Sequence, residues 1–144
     1  WRLMSAWTHV ELPNRVPPLP MIFVYALCEY ARSRLWLDTA VLLLLGFHTF
    51  SRTGELFAAK KGDFLLDWST GQGVWSLPLT KSGQRAGALE ALPLTDSWVV
   101  RLVLGFSRNL KPGQTLSTVS AAVQRDRLRE ACAALRIEFG FTWY

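Results

Sequence analysis

Apolar side chains recur at helical spacing in most of this chain, and the places where the pattern changes mark out its elements. Met21, Val24, Leu27, Cys28 and Ala31 fall on one face of a helix predicted over residues 20 to 34, with Pro20 suited to its first turn. Residues 35 to 48 follow closely and are apolar nearly all round from Ala40 onward, which predicts a buried central helix. A short helix is expected over residues 53 to 60. Gly62 and Asp63 then mark a turn, after which the period drops toward two and three short strands are expected, at 64–67, 74–80 and 88–94. Pro78 and Pro93 each remove a ladder donor and so belong at edges, ends or bulges.

Helical spacing returns with Val99, Leu102, Val103 and Phe106 behind a cap at Thr95 or Asp96, and Lys111, Pro112 and Gly113 end that helix. The last helix is expected from about residue 118 to 137. Ser117 or Thr118 would open it, and Val119, Ala122, Val123, Leu128, Ala131 and Leu135 supply its apolar positions. Helices, then a small three-stranded antiparallel sheet, then helices again make an α+β fold, mostly helical.

The length, 144 residues, makes one domain the default and allows a sizeable core. Half of the residues are hydrophobic and seven are tryptophan, a composition of a folded globular chain and not of a disordered tail. The formal charge of +5 is spread along the chain and favours a polyanionic partner only mildly. Cys28 and Cys132 have no metal-ligand spacing and form no disulfide framework, which points to a reducing, intracellular setting. The run from residue 39 to 47 is far shorter than the roughly 20 residues that span a bilayer, so no membrane partner is expected. No signal peptide is apparent in the first twelve residues, and the chain lacks an initiator methionine, as a fragment would. Pro13, Pro17, Pro18 and Pro20 favour an extended connector, so residues 1 to 19 read as a proline-rich linker.

The segment Thr49-Phe50-Ser51-Arg52-Thr53-Gly54-Glu55-Leu56, followed by Thr80-Lys81-Ser82-Gly83 between two expected strands, resembles the catalytic domain of the tyrosine recombinase (phage integrase) family. The first motif of that family reads roughly T-G-x-R-x-x-E-L, and Phe50 stands here in place of its glycine. The resemblance covers about residues 20 to 144. It implies an integrase-like catalytic domain, incomplete at its C-terminus and similar to retrotransposon-encoded relatives, with residues 1 to 19 carrying a remnant of an N-terminal DNA-binding domain. It also implies that Thr142, Trp143 and Tyr144 lead into the second family motif, with Tyr144 at its first position and not as the nucleophile. The nucleophilic tyrosine would then lie downstream, and this fragment alone would be inactive.

From the resemblance, Arg52 stabilises the pentacoordinate phosphorane, because a guanidinium fork engages two phosphate oxygens at once. Lys81 is implied as the acid that protonates the leaving 5′-oxygen. The bland alternatives are a surface pair of Arg52 with Glu55, three residues on, and a hairpin lysine kept for solubility. Glu55 is read as a supporting carboxylate that orients Arg52 or caps an amide, and Asp63 as an acceptor of a local backbone hydrogen bond. Arg85 is expected against the DNA backbone or solvent. Arg125 and Arg129, four apart on one helix face, are candidate phosphate contacts, against the plainer reading of Arg125, Arg127 and Arg129 as a solvated face. His48 is expected as a satisfied core histidine.

In full length the family cuts and rejoins DNA strands through a covalent 3′-phosphotyrosine, so the resemblance implies double-stranded DNA as partner, a tetramer on paired sites, and no metal or organic cofactor. It implies DNA recombination or integration in the nucleus of a eukaryote or the cytoplasm of a prokaryote. The competing expectation is a non-catalytic DNA-binding or protein-interaction helical module from a decayed mobile element.

Overall fold

The computed structural model describes residues 19–77 and 90–137. Helix α1 (Met21–Ser33) starts behind Pro20 and buries Val24, Leu27, Cys28 and Ala31, while Met21, expected on the same stripe, is exposed. Helix α2 (Leu37–Thr49) buries every residue from Asp38 to Leu45 and is the central element of the core. It begins two residues later than expected because Leu35 adopts a left-handed φ of 58° and forms a link instead of a first turn. There the Trp36 amide donates to the Ala31 carbonyl at 2.8 Å and the Leu35 amide to Arg32 at 2.9 Å, the crossed pair of bonds that closes a helix C-terminus, with leucine where glycine is usual.

Helix α3 (Thr53–Ala58) is short, and a single 3-10 turn (Lys61–Asp63) leads from it into the sheet. Strands β1 (Phe64–Asp67), β2 (Gln72–Leu77) and β3 (Glu90–Leu94) run antiparallel in the order β1-β2-β3. Trp75 pairs with Phe64 on one side and Leu92 on the other, and Gly73 with Leu66 and Leu94, so these residues share the face turned to the helices. Phe64 stacks on the buried Trp75 ring at 5.3 Å between centroids. Gly73 is there for space: a Cβ would meet Leu66 Cδ2 at 2.4 Å and the Leu65 carbonyl oxygen at 2.8 Å. Pro93 sits in β3, an edge strand of the described sheet, where a missing donor is tolerated.

Asp96 caps α4 (Ser97–Ser107), its Oδ1 accepting the amides of Trp98 at 2.8 Å and Val99 at 3.1 Å. Helix α5 (Ala121–Ala134) closes the fold. Its start differs from expectation, because the cap is Ser120 and Ser117 and Thr118 belong to the preceding loop. Of its expected apolar positions, Leu128 and Ala131 are buried, whereas Ala122, Val123 and Leu135 are exposed and Gln124 and Cys132 take the interior places instead. Five helices and one small antiparallel sheet among the described residues make an α+β architecture. No described helix is long and apolar enough to cross a membrane.

Candidate functional site

The turn that carries Arg52 is held from both sides. At the end of α2 the Thr49 hydroxyl donates to the Leu45 carbonyl at 2.6 Å and shares a hydrogen bond of 2.7 Å with the Ser51 hydroxyl. Phe50 then takes a left-handed φ of 51°, a conformation glycine adopts without cost, and reverses the chain toward α3. Arg52 is the N-cap of α3, and Glu55 supports it twice: Oε2 accepts the Arg52 amide at 2.8 Å and Oε1 accepts Nη1 at 3.3 Å. The Glu55 side chain is 17% exposed and that of Arg52 67%, so the carboxylate lies inward and the guanidinium turns most of its N–H groups to solvent.

Thr53, next to Arg52, lines a cavity of about 50 Å³ between α2, α3 and α5, walled by Leu42, Leu56 and Leu128 with Gln124 and Arg125 on its polar side. Arg125 therefore reaches the same depression from another helix. It is exposed, with no ion pair among the described residues. Arg129 is also exposed but pairs with Asp126 at 3.1 Å. Asp63 lies past the opposite end of α3, where its Oδ2 accepts the Lys60 amide at 2.8 Å. Lys81, Arg85 and Tyr144 lie outside the described residues, as do residues 1 to 18 of the proline-rich linker, the end of the second expected strand and the start of the third.

Arg127 is not part of a solvated face. Its Nη1 donates to Asp38 Oδ1 at 2.8 Å and to the Thr39 hydroxyl at 3.0 Å, and its guanidinium lies 5.3 Å from the centroid of Trp36. Asp38, almost wholly buried at the start of α2, also accepts the Thr39 amide at 2.9 Å, the Thr118 amide at 3.0 Å, the Thr118 hydroxyl, and Gln124 Nε2 at 3.2 Å. Burial alone would raise its pKa, but the hydrogen bonds from Thr118 and Thr39 and the Arg127 charge outweigh it, leaving the carboxyl below the usual carboxylate range. Neither Asp38 nor Thr39 is among the residues that the sequence marks as carrying chemistry. The signal is an aspartate and a threonine in the first turn of a helix that is otherwise apolar as far as Phe47.

His48 is not hydrogen-bonded at its buried Nε2, which faces Asp96 Oδ2 at 3.8 Å. The expectation of a satisfied histidine is corrected accordingly: Asp96 has committed its other oxygen to capping α4, and its separation from the ring is too long for a hydrogen bond. Burial pushes the Cys28 thiol up to about 12 and raises that of Cys132, which makes both poor nucleophiles and ligands at neutral pH. Among the described residues no three His, Cys, Asp or Glu side chains gather as a metal site would require.

No protein-family model matches the chain, and no curated protein or solved structure matches it significantly. The α+β architecture and the geometry around Arg52 therefore stand on this molecule alone.

Proposed function

We propose that this chain binds duplex DNA and forms part of a catalytic domain of tyrosine recombinase type, with an integrase-like fold. In this reading Arg52 clamps the scissile phosphate, Lys81 protonates the leaving 5′-oxygen, and Arg125 and Arg129 hold the flanking backbone. The full-length protein would recombine DNA through a 3′-phosphotyrosine, acting as a tetramer on paired sites. The observation that carries the reading is the posture of Arg52, whose backbone is fixed by Glu55 while its guanidinium faces solvent, one residue ahead of Thr53 in the lining of the depression that Arg125 borders. A guanidinium held so can receive two phosphate oxygens without first being reorganised.

The test is a binding isotherm of the chain on duplex DNA across a range of salt concentrations. Affinity is expected to fall as salt rises, and Arg52→Ala and Arg125→Ala are each expected to lower the log–log slope by about 0.9, the counterions released by one phosphate contact. No binding at low salt, or slopes that neither variant alters, overturns the proposal. In the full-length protein, Arg52→Ala should cost on the order of 3 to 4 kcal/mol of transition-state stabilisation and abolish suicide-substrate cleavage.

A second reading, a module that recruits another protein, is favoured by the exposed Ile22, Leu65 and Trp68. Concentration-dependent association without DNA affinity would select it.

A further inference from the structure

Past the C-terminal end of α3, two segments far apart in sequence are joined into one rigid corner. The Lys61 amide donates to the Gln114 carbonyl at 3.0 Å, the Gly62 amide to Pro112 at 2.8 Å and the Leu116 amide to Ala59 at 2.8 Å, and Lys60 pairs with Thr115 in an isolated antiparallel bridge. The approach is close enough that a Cβ on Gly62 would lie 3.0 Å from the Pro112 carbonyl oxygen. Lys61 turns its ammonium inward, donating to the carbonyls of Arg108 at 3.2 Å and Leu110 at 2.7 Å, and so covers the negative end of α4. With that end already neutralised, the charges of Lys60, Arg108 and Lys111 are left to the surface. All three residues are exposed, and none has an ion pair among the described residues. The carboxylate in these two segments is Asp63, one of whose oxygens is already engaged by the Lys60 amide.

We infer that this corner, Lys60, Arg108 and Lys111 on two interlocked loops, is a second phosphate-binding platform that grips the backbone of the same duplex. The inference rests on the DNA reading above. From Arg52 to Lys60 is eight residues, most of them helical, so the two cationic positions stand on the order of 12 Å apart, comparable to the width of a DNA major groove. Anchors that far apart, one at each end of a short helix, fix the orientation of the duplex as well as its attachment, which one guanidinium alone leaves undetermined. The cations of the corner are assigned to phosphates, which carry no sequence information. Oε1 of Gln114 already accepts the Lys111 amide at 2.6 Å, so this side chain is not free to pair bidentately with an adenine edge. The platform therefore contributes affinity that is independent of sequence.

The experiment compares the full chain, the double variant Lys60→Gln/Lys111→Gln and a charge-matched control, Arg32→Gln/Arg136→Gln, on two duplexes of unrelated sequence over a range of salt. Loss of two phosphate contacts should lower the slope by about 1.8 and weaken binding roughly 60-fold at ~0.1 M salt, equally on both duplexes, with the control close to the parent. A salt-dependent parent whose slope the platform variant leaves unchanged, or a control that loses as much, overturns the platform and leaves the DNA reading standing. A parent that binds neither duplex at low salt overturns both.

Discussion

Asp38 is the one charged residue among those described that is buried. Taking a carboxylate out of water is costly, and here the cost is offset because its neighbour Thr39 and three residues from distant segments, Thr118, Gln124 and Arg127, donate to it. Asp38→Ala leaves the half-buried Arg127 without a counter-charge, and the expected loss is about 3 to 5 kcal/mol, read as a fall in the urea midpoint at unchanged slope. The pH dependence follows from the direction of the shift. The folded state holds the carboxyl below its ordinary value of 3.8, so the stabilisation is complete above that value and is lost as pH falls through it toward the folded pKa. Urea midpoints measured from pH 6 to pH 2 should therefore drop below about pH 4 in the parent and change less in Asp38→Asn. Parallel curves would show that the network contributes nothing to acid sensitivity.

Among the elements, the sheet has the least tolerance. Gly73 faces the helices between Leu66 and Leu94, and the collision a Cβ would make there is partly with backbone, which cannot swing aside. Gly73→Ala is expected to cost about 1 to 3 kcal/mol, measurable as a lower melting temperature, while Gly54→Ala, with nothing near its Cβ, should raise it slightly. Most of the elements were legible in the apolar periodicity: α1 and α4 bury or half-bury their expected stripes apart from Met21, α2 is buried from Asp38 to Leu45, and β1 alternates half-buried Phe64 and Leu66 with exposed Leu65 and Asp67. What stayed illegible was where helices stop. Leu35, Phe50 and Arg136 all take left-handed φ angles, at the ends of α1, α2 and α5, and none is the glycine that ordinarily announces such a stop. Helix α5 was misread for another reason: it buries Gln124 to bond with Thr39 and Asp38, so a polar residue stands where periodicity looks for an apolar one. Within the candidate site, the Glu55 contact to Arg52 follows from three-residue spacing on a helix, whereas nothing local distinguishes the inward Arg127 from Arg125 and Arg129.

Across the described residues, helices α1, α2 and α4, the sheet and the second half of α5 close around one core that includes Trp75, Leu27, Leu44, Leu45 and Val100. Both cysteines belong to it. Cys28 is fully buried and its Sγ approaches the Ala40 carbonyl at 3.6 Å, so local fraying does not expose it. Its alkylation at pH 8 should be negligible in the native protein and should rise with urea along the same curve as the loss of far-ultraviolet ellipticity. Labelling well ahead of that curve would mean that α1 detaches from α2 before the rest unfolds.

The partners of Asp38 also set an order of events in the living cell. Thr118, Gln124 and Arg127 follow it by 80 to 89 residues, so at ribosomal speeds of about 5 to 20 residues per second the nascent α2 waits roughly 4 to 18 s for them. During that interval its leucine-rich surface and one lone negative charge are exposed together. Until α5 leaves the exit tunnel, burial of that surface in its native place has to wait.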